Sequence, residues 1–372
     1  MNTNQRYVRS RQAGLSIIEL MVSLLIGLIL MAGAIQIFIS SKATYSAHEE
    51  SLRVQENLRF ANYFMGRDLR SAGYLGCMSL SEKTEINSIL ETDPANFDPG
   101  LGIQGWEASG TKSSESFELT TDAPSTGTTG WATSASGGVG LPAIRPMPGS
   151  DVVQIWRGEN SLIGGGIKAN ESAAQPQVDI SGAHSIEAND LILLTDCQSF
   201  LLGRACKVNG EVGPGKTSSV IINASCDNKP PGHVKPLIHA LNEPIEAMKL
   251  VSYIYYVGKR GDAASSRPSL FRRSLKGGVE ELIEGVESMQ LLYGVDDDAD
   301  REVDRYLGAE AVADWKSVVS VRLALLLASA DGVRTDEGPE GFDLLGVTIK
   351  PPEDRRLRRV MTTTIALRNR IL

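Results

Sequence analysis

The chain has 372 residues, of which 42% are hydrophobic and 22% are charged, and this excludes a chain that is disordered as a whole. Its formal net charge of −8 excludes a protein that coats nucleic acid or an anionic membrane with its whole surface. The four histidines and four cysteines show neither HExxH nor CxxC spacing, so we expect no metal site and no cofactor.

The N-terminal segment predicts a membrane-spanning helix. Residues 15–39 form a run of 25 residues in which Glu19 carries the only charge. A helix of that length, at ~1.5 Å per residue, crosses the ~30 Å hydrocarbon core of a bilayer. Arg6, Arg9 and Arg11 precede the run, so the positive-inside rule predicts a cytoplasmic N terminus and export of the rest of the chain.

Two simpler interpretations of this segment fit less well. A cleaved secretory signal peptide has an apolar core of ~7–15 residues with small residues after it, whereas here Ala13 and Gly14 lie before a longer run. A plain membrane anchor leaves Glu19 unexplained, because a carboxylate in hydrocarbon costs about 2–3 kcal/mol.

The helical pattern continues beyond the membrane run. Apolar residues recur every three or four positions, and charged residues such as Arg67 and Asp68 are expected elsewhere on the helix. The apolar positions are Val54, Leu58, Ala61, Met65, Leu69 and Ala72. We predict one helix from residue 15 to about residue 71, ~85 Å long. Gly73 or Gly76 ends it, and its outer half packs on a globular head.

The remaining sequence predicts β structure. Residues 107–139 are rich in Ser, Thr and Gly and predict loops with one short strand near Phe117. Strand-like runs then follow at residues 151–156, 190–197, 218–224, 250–257, 269–275, 286–296, 317–329 and 360–368. The predicted fold class is α+β, with the long helix packed on an antiparallel β-sheet head that only a short helix at 309–315 interrupts.

Residues 210–219, GEVGPGKTSS, fit the spacing of a phosphate-binding P-loop. A P-loop opens a helix, however, and here Thr217 leads into a β-branched strand pattern. The positive-inside rule also places this segment on the far side of the membrane. We therefore predict a hairpin turn at Gly-Pro-Gly rather than a nucleotide site.

Two charged stretches lie near the C terminus. Residues 296–304 alternate carboxylates as a calcium loop does, but Arg301 and Leu307 replace the glycine and carboxylate of an EF-hand, so a solvated acidic loop is favoured over an irregular calcium site. The closing arginines are expected to pair with acids or line a subunit interface, with DNA phosphates as the alternative. They are Arg355, Arg356, Arg358, Arg359, Arg368 and Arg370. The four scattered histidines support no catalytic arrangement, so no enzyme is predicted.

Residues 14–19, Gly-Leu-Ser-Ile-Ile-Glu, follow a short basic leader and open the apolar run. This stretch resembles the type III signal of type IV prepilins. The resemblance implies that a prepilin peptidase cuts between Gly14 and Leu15 and N-methylates Leu15. It also implies that Glu19 meets the amine of a neighbouring subunit in the filament. Leucine stands where most major pilins have phenylalanine, a departure that bears on methylation more than on cleavage.

Further motifs resemble the PilW family of type IV pilus minor pilins along the whole chain. They lie at residues 69–74, 285–287, 292–296, 303–306, 315, 362–364 and 367–370. The resemblance implies a type IV pilin-like fold and a minor pilin in the bacterial inner membrane. Such a protein joins other minor pilins in a tip complex that primes pilus assembly.

The implied partners are the prepilin peptidase, other minor pilins, the major pilin, a pilus tip adhesin and inner-membrane lipid, whereas nucleic acid is not expected. Two alternatives remain open. A J-type pseudopilin of type II secretion shares the signal and topology, although the resemblance implies a smaller head for that class. A DNA-binding competence pilin is the second alternative.

The predicted organisation is a leader at 1–14, a transmembrane half-helix at 15–40, a periplasmic amphipathic half-helix at 41–76 and a β-rich periplasmic head at 77–372. Beyond the membrane the compartment is oxidising, so Cys77, Cys197, Cys206 and Cys226 are expected to be paired. The short separations among the last three favour a bridge in that region, and three connectivities remain open.

Overall fold

The computed structural model describes residues 16–77, 86–91, 98–120, 130–133, 144–162, 167–170, 177–197, 199–222, 226–228, 245–261, 267–334, 336 and 338–371. The chain begins with one continuous helix, α1 (Ile17–Arg70), of 54 residues. The predicted single helix is confirmed, and its predicted start at Leu15 lies outside the described residues. Gly73 and Gly76 follow the helix with φ values of 74° and 90°, a left-handed conformation that glycine adopts without strain.

Twenty strands and several short helices follow α1 in the described part of the chain. The strands are β1 (Ile86–Ser88), β2 (Ile103–Ala108), β3 (Ser116–Glu118), β4 (Trp131–Ala132), β5 (Val152–Leu162), β6 (Ile167–Asn170), β7 (Gln177–Gly182), β8 (Leu191–Thr195), β9 (Phe200–Arg204), β10 (Lys207–Gly210), β11 (Gly213–Ile221), β12 (Glu246–Lys259), β13 (Pro268–Ser274), β14 (Val279–Glu284), β15 (Val286–Val295), β16 (Arg305–Leu307), β17 (Val318–Gly332), β18 (Phe342–Leu344), β19 (Val347–Lys350) and β20 (Arg356–Ala366). The short helices are α2 (Arg368–Ile371) and 3₁₀ turns at Pro99–Leu101, Ala309–Ala311 and Trp315–Ser317. The predicted helix at 309–315 is therefore replaced by two separate 3₁₀ turns.

The strands form four sheets in the described part of the chain. The largest has nine strands in the order β1-β9-β8-β12-β5-β2-β4, with β13 added along the second half of β12 and β14 added along β13. The others are β10-β11-β7-β6, β16-β15-β17-β20 and β18-β19-β3. The α+β class is confirmed, but the wholly antiparallel head is only partly so, because β1 pairs parallel with β9 and β3 pairs parallel with β19. Both are three-residue strands that join partners far along the chain, a pairing that local hairpin signals do not reveal.

The outer half of α1 packs on β14, β17 and β20. The six apolar helix positions predicted from the sequence are all at most 9% exposed, which confirms the predicted stripe. They join the largest core cluster with residues of β15 and β17 such as Leu291 and Leu323. Full burial of one such side chain contributes about 1.5–3 kcal/mol, so this stripe holds the helix on the head.

Two disulfides confirm the predicted pairing of all four cysteines. Cys77–Cys197 joins the segment after α1 to the end of β8, and Cys206–Cys226 closes a loop with a sequence separation of 20. The second bridge lies in the region where the short separations favour one. Cys197 pairs across a separation of 120 residues instead, with Cys77.

Candidate processing and assembly site

The first half of α1 is an apolar helix that nothing covers in the described part of the chain. Its most apolar 18-residue window has a mean hydropathy of 2.5 and is 0% buried. Ile17, Leu24 and Phe38 are 81%, 65% and 69% exposed. Exposed apolar area is unfavourable in water by about 25 cal/mol per Å², so this segment requires lipid or other helices around it. Its length and composition allow it to cross a membrane.

Glu19 is the acidic residue of the first turn of α1. The free backbone N–H groups and the helix dipole at this end favour a negative charge. The N-cap residue Ser16 donates and accepts no side-chain cap bond, and no described residue pairs with Glu19. Its carboxylate is therefore available to a cation outside the described chain. Gly14 and Leu15, on which the predicted cleavage depends, lie outside the described residues.

The outer end of α1 is fixed to the head by one buried carboxylate. Asp68 is 0% exposed, and its Oδ2 accepts hydrogen bonds from the Tyr255 hydroxyl at 2.5 Å and from Arg272 at 3.2 Å. Its Oδ1 lies 3.3 Å from Nε of Arg67 and 3.8 Å from the guanidinium of Arg157. Burial and the Asp68 charge raise the pKa of Tyr255, so the hydroxyl remains a donor. The sequence pattern wrongly placed Asp68 away from the packed face.

Further polar contacts attach α1 along its length. Near its middle, the Glu50 carboxylate accepts the backbone N–H of Ala330 at 2.8 Å. One to two turns further on, the Asn57 side chain donates to a backbone carbonyl at the end of β14. Just past the helix, the N–H of Gly73 donates to the carbonyl of Trp156 at 2.8 Å. Because these contacts span the outer half of α1, they hold the helix in a fixed position against the head.

A second buried acidic site lies inside the head. Asp151 accepts the backbone N–H groups of Ala108 and Leu291, both at 2.9 Å, and Glu107 accepts that of Ala309 at 2.9 Å. Burial raises the pKa of Glu107 to about 7, and burial together with the Glu107 charge raises that of Asp151. These carboxyls tie β2, β5, β15 and a 3₁₀ turn together.

Two of the six closing arginines, Arg356 and Arg358, pair with acids, one of the outcomes that the sequence predicts. Arg358 is buried, donating to Glu287 at 2.7 and 3.1 Å and to Asp354 at 2.7 Å. Arg370 donates to the backbone carbonyls of Leu101 and Lys316, and burial lowers its pKa to about 10. These contacts anchor β20 and α2 to the rest of the head.

The P-loop-like stretch forms a β-hairpin. Residues 207–210 of β10 pair with residues 218–221 of β11, so residues 211–217 connect the two strands and contain the predicted Gly-Pro-Gly turn. Gly210 at the start of this connection has a φ of 93° and no room for a Cβ against Thr217, and Gly215 within it has a φ of 71°. Lys216 is exposed and pairs with Glu211 at 2.7 Å. Since no helix follows this turn, it lacks the phosphate-binding geometry of a P-loop.

The acidic loop brings carboxylates of Asp296, Asp298 and Asp304 within 4.8 Å of one another. Asp296 and Asp304 already accept backbone N–H groups of the same loop, at 2.7–2.9 Å. An exposed acidic loop that satisfies its own backbone forms without a metal, so we assign no ion to it.

The comparisons with known proteins match two parts of the chain. Residues 9–35 match the prokaryotic N-terminal methylation motif, and residues 254–369 match the family of type IV pilus-assembly protein W, PilW. The chain therefore carries a prepilin signal, and its C-terminal third is similar to PilW. No curated protein and no solved structure gives a significant match. Both families are components of pilus assembly rather than enzymes, and together they indicate a membrane-anchored pilus protein.

The PilW match includes the surfaces that hold α1. It contains β14, β17 and β20, and the Asp68 partners Tyr255 and Arg272. Neither of the two matches extends over residues 36–253. The similarity that was expected along the whole chain is therefore found in two separate regions.

Sequence reasoning missed Asp68 as an attachment point and missed the pair Glu107 and Asp151. A signal for Asp68 was present, because it falls between Met65 and Leu69 on the apolar stripe. A charged residue at such a position needs a buried partner. Glu107 and Asp151 carry no comparable signal, since each lies at a strand or loop boundary.

Proposed function

We propose that this chain is a PilW-family minor pilin that joins other minor pilins in a complex at the filament tip and primes pilus assembly. The leader at 1–14 is removed, and residues 15–40 span the inner membrane with the N terminus in the cytoplasm. Residues 41–76 extend the helix into the periplasm, where residues 77–372 form the head. The observation that carries this proposal is that the prepilin motif opens an exposed apolar helix whose other half is fixed to the PilW-matching head.

Glu19 supplies the specific contact in the membrane. After cleavage, the α-ammonium of Leu15 lies one helical turn from Glu19, and in a complex each Glu19 meets the ammonium of a neighbouring subunit. Pairing lets the two charges neutralise each other within the hydrocarbon. Removing one partner of a buried ion pair leaves the other charge unpaired and costs about 3–5 kcal/mol. The head then moves with the helix into the growing filament because Asp68 and the apolar stripe hold them together.

The processing step is tested by mass spectrometry of the full chain from the membrane fraction. We expect an N-methylated Leu15 at the mature N terminus and loss of cleavage when Gly14 is replaced, because a β-carbon intrudes where the peptidase approaches the backbone. An intact Met1 chain in cells with active peptidase contradicts the proposal.

The assembly step is tested in a deletion strain complemented with Glu19→Val. We expect normal abundance and normal cleavage, but reduced co-purification with other pilins. Glu56→Val is the matched control, since Glu56 is an exposed carboxylate on the outer half of α1. Wild-type co-purification and wild-type piliation in Glu19→Val would show that the carboxylate has no assembly role.

The same deletion strain separates the two alternatives. The PilW match is to a pilus-assembly family, which supports a pilus over a secretion pseudopilus. Loss of surface pili supports the proposal. Normal pili with impaired protein secretion would assign the chain to a type II pseudopilus, and normal pili with impaired transformation would assign it to DNA uptake.

A further inference from the structure

An open cleft of about 760 Å³ lies between the outer end of α1 and the start of α2. Four arginines line it: Arg59, Arg67 and Arg70 from α1, and Arg368 from α2. Tyr63, which is 60% exposed, lies between them on the helix. Residues 59, 63, 66 and 70 follow helical three- and four-residue spacing, so the cleft is built on one face of α1.

The positive charge of this cleft is largely unneutralised within the described chain. No acidic residue lines it, and Arg67 alone has an ion-pair partner, Asp68, which the head contacts already saturate. No described carboxylate lies within ion-pair distance of Arg59, Arg70 or Arg368. The nearest acid by helical position on this face is Glu56, one turn before the arginines. The chain as a whole has a net charge of −8, so this cluster of four guanidinium groups is a local positive patch. Such a patch attracts carboxylates of another molecule.

Gly66 leaves the floor of this cleft without a side chain. Glycine inside a helix costs about 1 kcal/mol relative to alanine. A Cβ at Gly66 would meet only Oδ1 of Asn62, at an ordinary 3.7 Å, so no described neighbour requires glycine here. Gly66 is itself buried, so the missing side chain deepens the cleft between the arginines rather than exposing the α1 backbone.

Exposed apolar side chains continue from the cleft toward the membrane on the same side of α1. Leu52 and Phe60 are 66% and 47% exposed, and they lie within one helical face of Tyr63. Nucleic acid has no complement for this apolar stripe, whereas the apolar face of a second helix does. A helix anchored in the same membrane is also presented side by side with α1.

We propose that this cleft docks the outer end of a helix from another membrane-anchored pilin-type subunit, one that carries at least two carboxylates at that end. Arginine suits this role because its planar guanidinium pairs with a carboxylate through two parallel hydrogen bonds. The inference rests on the proposed minor-pilin function and adds the chemistry of the partner. The apolar stripe aligns the two helices, and the arginines select the acidic one.

The test replaces Tyr63 with the photo-crosslinker p-benzoylphenylalanine in the full-length chain, in cells that make the other pilus proteins. After irradiation, the crosslinked peptide is identified by mass spectrometry. We expect one adduct, to a segment of another prepilin-type protein that contains at least two Asp or Glu residues. An adduct to nucleic acid, an adduct to a second copy of this chain, or no adduct overturns the inference.

Two variants then test the charge and the shape of the cleft. The triple variant Arg59→Gln, Arg70→Gln, Arg368→Gln is expected to lower the adduct yield about tenfold. Gly66→Leu is expected to lower it similarly by filling the floor, while it improves helix propensity. The matched control is Lys207→Gln, Arg355→Gln, Arg359→Gln, which removes the same charge from exposed positions outside the cleft.

An adduct yield that stays at the wild-type level in the arginine triple or in Gly66→Leu overturns the inference. So does an equal loss in the control triple, because net charge alone then explains the effect. If these tests fail while Leu15 is still the mature N terminus and the deletion strain lacks pili, the inference falls and the proposed function stands. If Leu15 is not the mature N terminus and the deletion strain still has pili, the proposed function falls as well.

Discussion

Replacing Asp68 with asparagine should partly detach α1 from the head. The native carboxylate is 0% exposed and accepts from Tyr255 and Arg272, with Arg157 3.8 Å away. Asparagine keeps one acceptor oxygen but turns an NH₂ group toward these donors, so at least one buried cation loses its counter-charge. Breaking a buried ion pair costs about 3–5 kcal/mol, and we expect Asp68→Asn to lie near 3 kcal/mol because one acceptor remains. At about 2 °C per kcal/mol for a large domain, Tm should fall by about 6 °C.

The measurement is thermal unfolding of the full chain in nanodiscs, with hydrogen exchange of α1 read by mass spectrometry. Exchange should rise mainly in the outer turns of α1, because these turns lose their polar anchor. Arg67→Gln is the control: its side chain is 55% exposed, so its pair with Asp68 should contribute under about 1 kcal/mol. Tyr255→Phe combined with Asp68→Asn should cost less than the sum of the two single changes. A Tm within 1 °C of wild type and unchanged exchange in Asp68→Asn would refute the reasoning.

Two further predictions concern the head. The folded-state pKa of Glu107 is about 7 against an ordinary 4.5, so its stabilising effect is complete below pH 4.5 and is lost as the pH rises through 7. Thermal unfolding should therefore show a loss of up to about 3 kcal/mol between pH 5 and 8, and Glu107→Gln should flatten that dependence; an unchanged slope contradicts it. Removing Cys77–Cys197 should destabilise the chain more than removing Cys206–Cys226, by about 5 against 3 kcal/mol in the chain-entropy model, because their separations are 120 and 20. Equal Tm losses for the two Cys→Ser pairs would show that loop length does not decide the effect.

The sequence predicted those parts of the fold whose signals are local and periodic. The apolar stripe from Val54 to Leu69 repeats every three or four residues, and a helix follows from that spacing alone. Long β-branched runs such as the one in β17 likewise predict buried strands. Short strands such as β1 and β3 carry three residues each and owe their existence to partners far along the chain. Their parallel pairing is a property of the whole fold, which no local window contains.

The candidate site divides in the same way. The prepilin motif is a contiguous stretch, so its residues could be named from the sequence, as could the pairing of the cysteines in an oxidising compartment. The arginine cleft could not, because Arg59 and Arg368 are brought together only when α2 docks beside α1. The hairpin turn could also be placed from the sequence, because Gly-Pro-Gly is a local turn signal and lies within the connection between β10 and β11.

The bridge between Cys77 and Cys197 sets how the molecule carries tension. Along the covalent chain, a pull that passes beyond the packed part of α1 reaches Cys77 shortly after the helix ends and crosses the disulfide to Cys197, beside the end of β8. Strand β8 lies between β9 and β12 inside the nine-stranded sheet, so the load enters the middle of the sheet rather than its edge. The segment between the two cysteines, which includes β1 to β8, is bypassed by this covalent path while the bridge is closed. Reduction would reroute the same pull through that segment, beginning at the three-residue edge strand β1.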